Sequence, residues 1–393
     1  GYPPARIAAL VPIGISAVRT FAVHWPMHGY GSSYTPFFNW EFVTAASFAL
    51  ALLGYAAVQW AHRDRGGGDV LERFVGRFDD QVFDALLGRL RVKVDVPSIP
   101  IHNVEFRYRG KRFYWRQQNF FRVVRRYEFD AALANTARQR GMTLHEQEAF
   151  RDLAQVDGGV EVETSRGTYR TQALVGADGA RSVVRPKLGI EERPRVSRLI
   201  EILTPADAQA DPQFTNHTAV FDFDGLDEGL QGYIWDFPCW EDGAAAMNRG
   251  IYDGRVYPDR PRADLKVLFQ GGLEARDASD PNQRWEGHPE RWFHPKASYA
   301  QPNVLLVGDA AGVDPFAGEG IFFALQYGEV AAAELVTAFN QDDLSFASYK
   351  DRLLNGEFGK ALVLRYRLAK LIYPGWPPIA LNLFFQVMSR IWS

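Results

Sequence analysis

The chain has 393 residues and a formal net charge of −3, with 47% hydrophobic and 14% aromatic residues. This composition excludes an intrinsically disordered chain, and the charge gives no indication of nucleic-acid binding. The length predicts two to three domains. A single cysteine, Cys239, excludes an internal disulfide framework and indicates a reducing compartment. No cysteine and histidine cluster has metal-ligand spacing, so we predict no metal site.

Residues 1–62 are unusually apolar. Their charged side chains are Arg6, Arg19 and Glu41. The uncharged stretch Val43–Trp60 has 18 residues, aromatic ends and a basic segment after it. This pattern predicts either a short membrane span or a buried helix of a globular domain, and the sequence leaves both open.

The middle of the chain alternates between strand-like and helical patterns. Residues 96–115 predict strands and turns, and Phe129 and Leu133 begin a helical spacing that Gly141 closes. A predicted hairpin then leads into a buried strand near residue 175. From about 195 to 300 the aromatic and turn-rich sequence predicts a sheet-based domain.

The stretch "NVLLVGDAAGVDPFAGEGIFFA", residues 303–324, predicts a buried strand, a glycine-rich loop and a helix. Glycines allow a ligand to approach the backbone without Cβ clashes, and N–H groups at a helix N-terminus favour electron-rich oxygens. Asp309 follows the strand, where a carboxylate accepts hydrogen bonds from ligand hydroxyls. The alternative is a tight turn with a capping aspartate.

A second stretch, "ALVGADGARSVVRPKLGI" at residues 173–190, has the same order of strand, Asp-Gly turn and helix. Together, "VGADGARSVVR" and "LLVGDAAGVDPFAGEG" resemble the paired fingerprints of FAD-dependent monooxygenases and reductases. "RRYEFDAAL" is similar to the Arg-x-x-Phe-Asp-x-x-Leu helix start of the same superfamily. The resemblance implies the p-hydroxybenzoate hydroxylase fold. This is a mixed α/β fold with a Rossmann-like FAD-binding domain, an inserted antiparallel-sheet substrate domain and C-terminal helices.

The resemblance also implies which residues bind FAD. Asp309 would hold the ribityl chain, and the loop of residues 315–321 would pass the pyrimidine side of the flavin ring. Asp178 would support the phosphate region, and Arg126 would face the cofactor rather than being a surface arginine. The full set of implied cofactor-binding residues is Arg126, Asp178, Gly179, Asp309, Pro315, Gly318, Gly320 and Ile321.

The stretch "GYIWDFP", residues 232–238, places Tyr233, Trp235 and Phe237 on one face of a strand. It resembles the Tyr-x-Trp-x-Phe-Pro motif of the geranylgeranyl reductases, which implies that these side chains bind the substrate beside the flavin. The alternative is an aromatic stripe in a sandwich core. In that family Gly-x-Gly follows the motif, whereas here "MNRGIY" has Asn248 in place of the first glycine and keeps Gly250.

Two side chains are candidates for the catalytic acid. Tyr233 lies in the aromatic motif, and Cys239 lies directly after it. The alternative for Cys239 is a small buried hydrophobic residue.

The superfamily's first unit, a strand followed by Gly-x-Gly-x-x-Gly and a helix, has no match. The nearest stretch, "HGYGSSY" at residues 28–34, has Tyr34 where the third glycine belongs. Residues 1–62 are therefore a membrane or docking element, the product of an altered gene start, or a degenerate form of this unit. Without the glycine loop a pyrophosphate loses its backbone donors, so we expect weak FAD binding.

These observations predict an FAD-dependent oxidoreductase that uses NAD(P)H to reduce carbon–carbon double bonds of an isoprenoid or other lipid. The alternatives are a flavin monooxygenase on the same fold and a non-catalytic, membrane-associated remnant with impaired flavin binding. The expected partner is a small hydrophobic substrate, with a membrane surface as a second candidate, and the expected location is the cytoplasm or its membrane surface. The predicted segments are an apolar one (1–62), the FAD-binding domain (63–190 and 300–356), the substrate sheet (191–299) and a helical or interfacial tail (357–393).

Overall fold

The structure is a computed structural model and describes residues 80–190, 195–280, 284–373 and 378–391. The predicted span Val43–Trp60 and the stretch 28–34 lie outside the described residues. In chain order the strands are β1 (Ser98–Tyr108), β2 (Lys111–Val124), β3 (Phe150–Val156), β4 (Gly159–Thr164), β5 (Thr168–Thr171), β6 (Leu174–Gly176), β7 (Val196–Pro205), β8 (Thr218–Asp222), β9 (Gly232–Glu241), β10 (Ala244–Asp253), β11 (Glu286–Gly287), β12 (Glu290–Arg291), β13 (Ala300–Gln301) and β14 (Val304–Leu306). The helices are α1 (Asp80–Arg89), α2 (Arg126–Gln139), α3 (Val184–Lys187), α4 (Pro212–Thr215), α5 (Leu265–Glu274), α6 (Gly308–Ala311), α7 (Ile321–Gln341), α8 (Tyr349–Asn355), α9 (Glu357–Ile372) and α10 (Pro378–Ile391).

The largest sheet has the strand order β11-β7-β10-β9-β8-β1-β2, and β12 also pairs with β7. All neighbouring strands are antiparallel except β8 and β1, which are parallel. Two-residue turns join β1 to β2 and β9 to β10. Both residues of each turn have positive φ, as in the turns that suit the twist of a hairpin: Arg109 and Gly110, and Asp242 and Gly243.

The hairpin of β1 and β2 belongs to this large sheet, because Val104 pairs with Ala219 of β8. The sequence had placed residues 98–124 with the FAD-binding segment 63–190, and their strand pairing differs from that assignment. The parallel β1–β8 contact joins residues more than 100 positions apart, and no local pattern predicts such a pairing.

A second, smaller sheet has the order β13-β14-β6, with β14 parallel to β6. Helix α7 packs beside β14 and buries Phe323, Tyr327 and Ala331 in the main core cluster. Among the described residues, α7 is the one helix long and apolar enough to cross a membrane, but core helices pass the same test. A third sheet, β3-β4-β5, is an antiparallel meander. The mixed α/β class predicted from the sequence is therefore confirmed.

Helix α10 covers one end of the large sheet. Phe385 is buried, with its ring centroid 5.2 Å from that of Tyr108 and 5.3 Å from that of Phe113. The Lys111 ammonium also donates to the side-chain oxygen of Asn382, at 2.5 Å. Phe385 of the tail thus packs against β1 and β2.

Candidate functional site

The two strands that carry the aspartate fingerprints are direct neighbours. Leu306 of β14 pairs with Gly176 of β6, and the strands run in the same direction. Since the carboxyl ends of parallel strands meet at one edge of a sheet, Asp178 and Asp309 leave the sheet on the same side. That edge is where open α/β sheets bind ligands.

Asp309 lies in the first turn of α6, immediately after β14. Its carboxylate is half-buried, and burial raises its pKa, while the positive charge of Arg126 opposes the increase. Within the described residues no side-chain hydrogen bond is seen at Asp309. The carboxylate therefore has acceptor capacity available for ligand hydroxyl groups.

Asp178 has a partner within its own turn. Its carboxylate accepts hydrogen bonds from the backbone N–H groups of Val183 at 2.7 Å and Val184 at 3.1 Å. Gly179, with φ of 79°, makes the turn that allows this contact. The structure thus gives Asp178 a capping function at α3, and its support of the cofactor phosphates stays a prediction.

Arg126 begins α2 and pairs with Asp130 one turn later, with side-chain contacts of 2.9 to 3.2 Å. Both side chains are exposed. The positive charge of the Arg126 guanidinium nevertheless opposes the burial-driven rise in the pKa of Asp309, Glu290 and Glu319, so its field reaches the glycine loop. An exposed arginine there can turn from Asp130 toward a ligand phosphate.

The glycine loop, residues 312–320, is closely packed at Gly312 and Gly318 and less closely at Gly320. A Cβ on Gly312 would lie 2.8 Å from the Trp292 carbonyl oxygen, and one on Gly318 would lie 2.8 Å from the Tyr252 ring. Gly318 also has φ of 68°, which favours glycine. A Cβ on Gly320 would lie 3.6 Å from Asp309 Oδ1 and 3.4 Å from Glu290 Oε1. Pro315 is buried in this loop, and Ile321 begins α7.

A buried ion pair holds the loop from behind. Asp314 is fully buried and pairs with Arg365 of α9, which is 3% exposed. The Asp314 carboxylate also accepts the backbone N–H groups of Phe316 at 2.8 Å and Ala317 at 3.2 Å. The loop conformation therefore depends on a side chain 51 positions further along the chain.

Three tyrosine hydroxyls hold the carbonyl groups of the same loop. Tyr233 of β9 donates to the Ala317 carbonyl, Tyr252 of β10 donates to the Pro315 carbonyl at 3.3 Å, and Tyr373 donates to the Phe316 carbonyl at 2.6 Å. The large sheet and the end of α9 thus fix the loop from two directions. Of these residues the sequence indicated Tyr233 alone; Tyr252, Tyr373 and Arg365 were missed.

The aromatic motif forms a continuous wall. The ring centroids of Tyr233 and Trp235 are 6.2 Å apart, and those of Trp235 and Phe237 are 6.1 Å apart, as expected for side chains on one strand face. The Trp235 indole N–H donates to the Asn248 side-chain oxygen at 2.6 Å. A Cβ on Gly250 would lie 2.1 Å from the Trp235 ring. Asn248 therefore supplies a partner for the indole, and Gly250 leaves the room for it.

Neither candidate catalytic acid is free to titrate near neutral pH. Burial raises the pKa of the Tyr233 hydroxyl well above its ordinary value, and this hydroxyl is engaged with Ala317. Burial also raises the pKa of the Cys239 thiol to about 11, and the residue is 1% exposed. The catalytic assignment of both residues stays a prediction.

Glu290 and Glu319 place two further carboxyl groups at the loop, and sequence reasoning missed both. Each has a buried Oε2 atom without a hydrogen-bond partner among the described residues. Burial raises the pKa of Glu290 well above its ordinary value, and the charges of Asp309, Asp314 and Glu319 add to this. Glu319 directly precedes Gly320 in the quoted loop, so its position was visible, whereas Glu290 lies outside every motif.

Glu319 gives a test of the acidic character of the loop. Burial raises its pKa from 4.5 to about 7, so the folded protein prefers the protonated form and loses stability as the pH rises through that window. We expect Glu319→Gln, which can still accept the Phe322 N–H, to be about 1–3 kcal/mol more stable than the wild type at pH 8 and equal to it at pH 4. Urea unfolding at both pH values measures this. Glu146→Gln on an exposed turn is the control, and a difference that does not depend on pH would contradict the expectation.

A basic cavity of about 210 Å³ lies next to α3 and the end of α6. Arg185, at its wall, is 3% exposed and donates to the Ala310 carbonyl at 3.2 Å. The Arg195 guanidinium lies 5.3 Å from the centre of the Trp292 ring. The described side chains around this cavity include four cations and no carboxylate; the lining residues are Arg185, Arg195, Arg291, Trp292, His294, Lys296, Ala297 and Ala311.

These features fit the flavin half of FAD. Asp309 offers a carboxylate for the ribityl hydroxyls, Gly320 has no side chain beside that carboxylate, and the exposed Arg126 supplies a positive charge for phosphate. The stretch 28–34, the nearest match to a pyrophosphate-binding loop, lies outside the described residues.

The comparisons agree with this geometry. A family model of an FAD binding domain matches residues 112–225. The geranylgeranyl bacteriochlorophyll reductase-like protein of Thermoplasma acidophilum has the same fold, with a TM-score of 0.65, 19% identity and coverage of 77% of this chain and 79% of that protein. The p-nitrophenol 4-monooxygenase of Pseudomonas putida has a TM-score of 0.58 at 16% identity, covering 78% of this chain and 81% of the monooxygenase.

The chain thus contains a stretch similar to an FAD binding domain and has the fold of FAD-dependent oxidoreductases. Curated relatives at modest identity include geranylgeranyl reductases. Digeranylgeranylglycerophospholipid reductase 1 of Methanopyrus kandleri is 28% identical over 243 residues, which cover 58% of this chain and 62% of the reductase. The chain spans about half to two thirds of the length of the curated relatives it matches.

Proposed function

We propose that this protein reduces carbon–carbon double bonds of an isoprenoid or related lipid with electrons from NAD(P)H. The observation that carries the proposal is the path of aromatic side chains that begins at the glycine loop. Tyr233, which holds the loop, lies 5.9 Å from Phe223, and Phe223 lies 6.0 Å from Phe385 of α10, centroid to centroid. Tyr233 and Phe385 are buried, so this path is an aromatic layer of the protein interior. A binding site built against such a layer would suit a polyprenyl chain better than a small polar substrate.

Bound FAD would supply the chemistry, by accepting a hydride from NAD(P)H and delivering it to the substrate. The protein residues would supply position and dryness. Asp309 and Arg126 would hold the cofactor, while Asp314 and the tyrosine hydroxyls keep the loop in one conformation. Trp235, fixed by Asn248, would orient an apolar chain along the wall.

The direct test is anaerobic turnover. Purified protein, FAD and NADPH are incubated with a geranylgeranyl lipid, and the product is examined by mass spectrometry. The proposal predicts a gain of two hydrogen atoms for each reduced double bond, without oxygen. Absence of product under these conditions, with flavin bound, would contradict it.

The basic cavity supports the assignment of NAD(P)H as the reductant. Its arginine and lysine side chains suit the phosphate groups of a dinucleotide, because charged hydrogen bonds to phosphate are strong and directional. We expect Arg195→Ala and Lys296→Ala each to raise the KM for NADPH by roughly tenfold, with FAD binding unchanged. Lys360→Ala, which removes an exposed lysine paired with Glu357, is the control. If all three variants keep the wild-type KM for NADPH, this cavity is not the NAD(P)H site.

A flavin monooxygenase is the second candidate, favoured by the fold shared with the p-nitrophenol monooxygenase. It predicts oxygen consumption in step with substrate, which an oxygen electrode measures. The third candidate, a remnant that binds no flavin, predicts an unchanged visible spectrum of FAD when the protein is added.

A further inference from the structure

Glu290 lies in a short strand that crosses beneath the glycine loop. Its strand β12 pairs with β7, and the Ser197 hydroxyl donates to the Glu290 carbonyl at 3.0 Å. Two residues later Trp292 bridges to Val313 at the start of the loop. These contacts fix the backbone of Glu290 at the base of the loop and leave its side chain to extend along it.

The carboxyl group of Glu290 lies against Gly318 and Gly320, and Asp309 lies beside the second of these glycines. Its Oε2 atom is 3.3 Å from the position of a Cβ on Gly318, and its Oε1 atom is 3.4 Å from that of a Cβ on Gly320. The same Cβ position on Gly320 is 3.6 Å from Asp309 Oδ1. Glu290 and Asp309 therefore both lie against Gly320.

This carboxyl group has no partner of its own. Glu290 is 7% exposed, and its Oε2 atom is buried without a hydrogen bond among the described residues. The hydroxyls of Tyr252 and Tyr233 are engaged with loop carbonyls, and Arg365 is paired with Asp314. An unpartnered buried carboxyl costs free energy, which an apolar side chain at this position would avoid.

The charges around Glu290 favour its neutral form. Asp309, Asp314 and Glu319 face it from the loop and from α6, and Arg126 is the one described cation whose field opposes them. A neutral carboxylic acid has an O–H group to donate, which a carboxylate lacks. Beside Gly320 the protein would therefore present one acceptor, Asp309, and one donor, Glu290.

We propose that Glu290 is a cofactor-binding residue: a protonated carboxyl that donates a hydrogen bond to a carbonyl or ring-nitrogen acceptor of the flavin held at Gly318 and Gly320. The proposal rests on the FAD-dependent function above. FAD binding would give the buried Oε2–H group the partner that it lacks among the described residues. Glu290 thereby complements Asp309, which accepts from the hydroxyls of the same cofactor.

Infrared spectroscopy and FAD titration test this together, in the wild type, Glu290→Gln and Glu290→Leu. Glu290→Gln keeps a neutral donor, and Glu290→Leu keeps the volume without one. At pH 7.5 the wild-type spectrum minus that of Glu290→Gln should contain a carboxylic-acid C=O band that shifts when FAD is added. The Kd for FAD should stay within about threefold in Glu290→Gln and rise about 3- to 10-fold in Glu290→Leu.

Glu286→Gln, an exposed position four residues earlier, is the matched control and should change neither readout. The proposal is overturned if the difference spectrum contains a carboxylate band, or if the carboxylic-acid band does not shift when FAD is added. It is also overturned if Glu290→Leu has the same Kd for FAD as the wild type. Should Glu290→Leu fail to fold, the band in the Glu290→Gln comparison decides alone. A wild-type protein that binds no FAD would overturn the proposed function as well, whereas failure of the variant criteria alone overturns only the role of Glu290.

Discussion

Arg365→Met is expected to lower the free energy of unfolding by about 3–5 kcal/mol. The substitution leaves Asp314, a fully buried carboxylate, with two backbone donors but no counter-charge. It also removes the guanidinium that lies 5.3 Å from the centre of the Phe323 ring. Urea denaturation followed by circular dichroism measures the loss.

Two further variants identify the cause. The double variant Asp314→Asn with Arg365→Met should recover a large part of the stability, because neither buried charge remains. Lys360→Met breaks an exposed ion pair with Glu357 and should cost less than about 1 kcal/mol. If Arg365→Met lowers the free energy of unfolding by no more than Lys360→Met does, the buried pair does not stabilise the loop.

Asp309→Ala is expected to weaken FAD binding roughly 10- to 100-fold, since hydrogen bonds from ligand hydroxyls to a charged acceptor contribute about 1.5–3 kcal/mol. The apoprotein should be no less stable than the wild type, because the half-buried Asp309 carboxylate lies near Glu290 and has no internal partner among the described residues. Fluorescence titration with FAD gives the affinity, and unfolding without FAD gives the stability.

Asp309→Asn separates charge from shape. It retains one acceptor oxygen and should lose less affinity than Asp309→Ala. Asp157→Ala, on the exposed turn between β3 and β4, is the control for removal of a carboxylate. FAD binding within threefold of the wild type in Asp309→Ala would place the cofactor elsewhere.

Local patterns in the sequence were sufficient for the parts of the site that are local in the chain. The two strand–turn–helix stretches each predicted an aspartate at the end of a strand, because each strand, turn and helix is continuous; that the two strands are neighbours is seen only in the structure. Period-two spacing predicted the aromatic wall of Tyr233, Trp235 and Phe237 for the same reason.

Residues that reach the loop from elsewhere could not be predicted in this way. Arg365 sits in a helix where its spacing does not distinguish it from surface arginines, and its partner is 51 positions away. Glu290 belongs to a two-residue strand, too short for any periodicity. The strand pairing of β1 with β8 depends on the same kind of distant contact.

The three tyrosine hydroxyls that hold the glycine loop connect it to residues 84, 63 and 57 positions away. Closing such long segments is entropically costly and slow, so the loop acquires its final shape only when β9, β10 and α9 have all docked. Cofactor uptake should therefore be among the latest events of folding. A change in flavin fluorescence would then report completed assembly of the polypeptide rather than the formation of any one element.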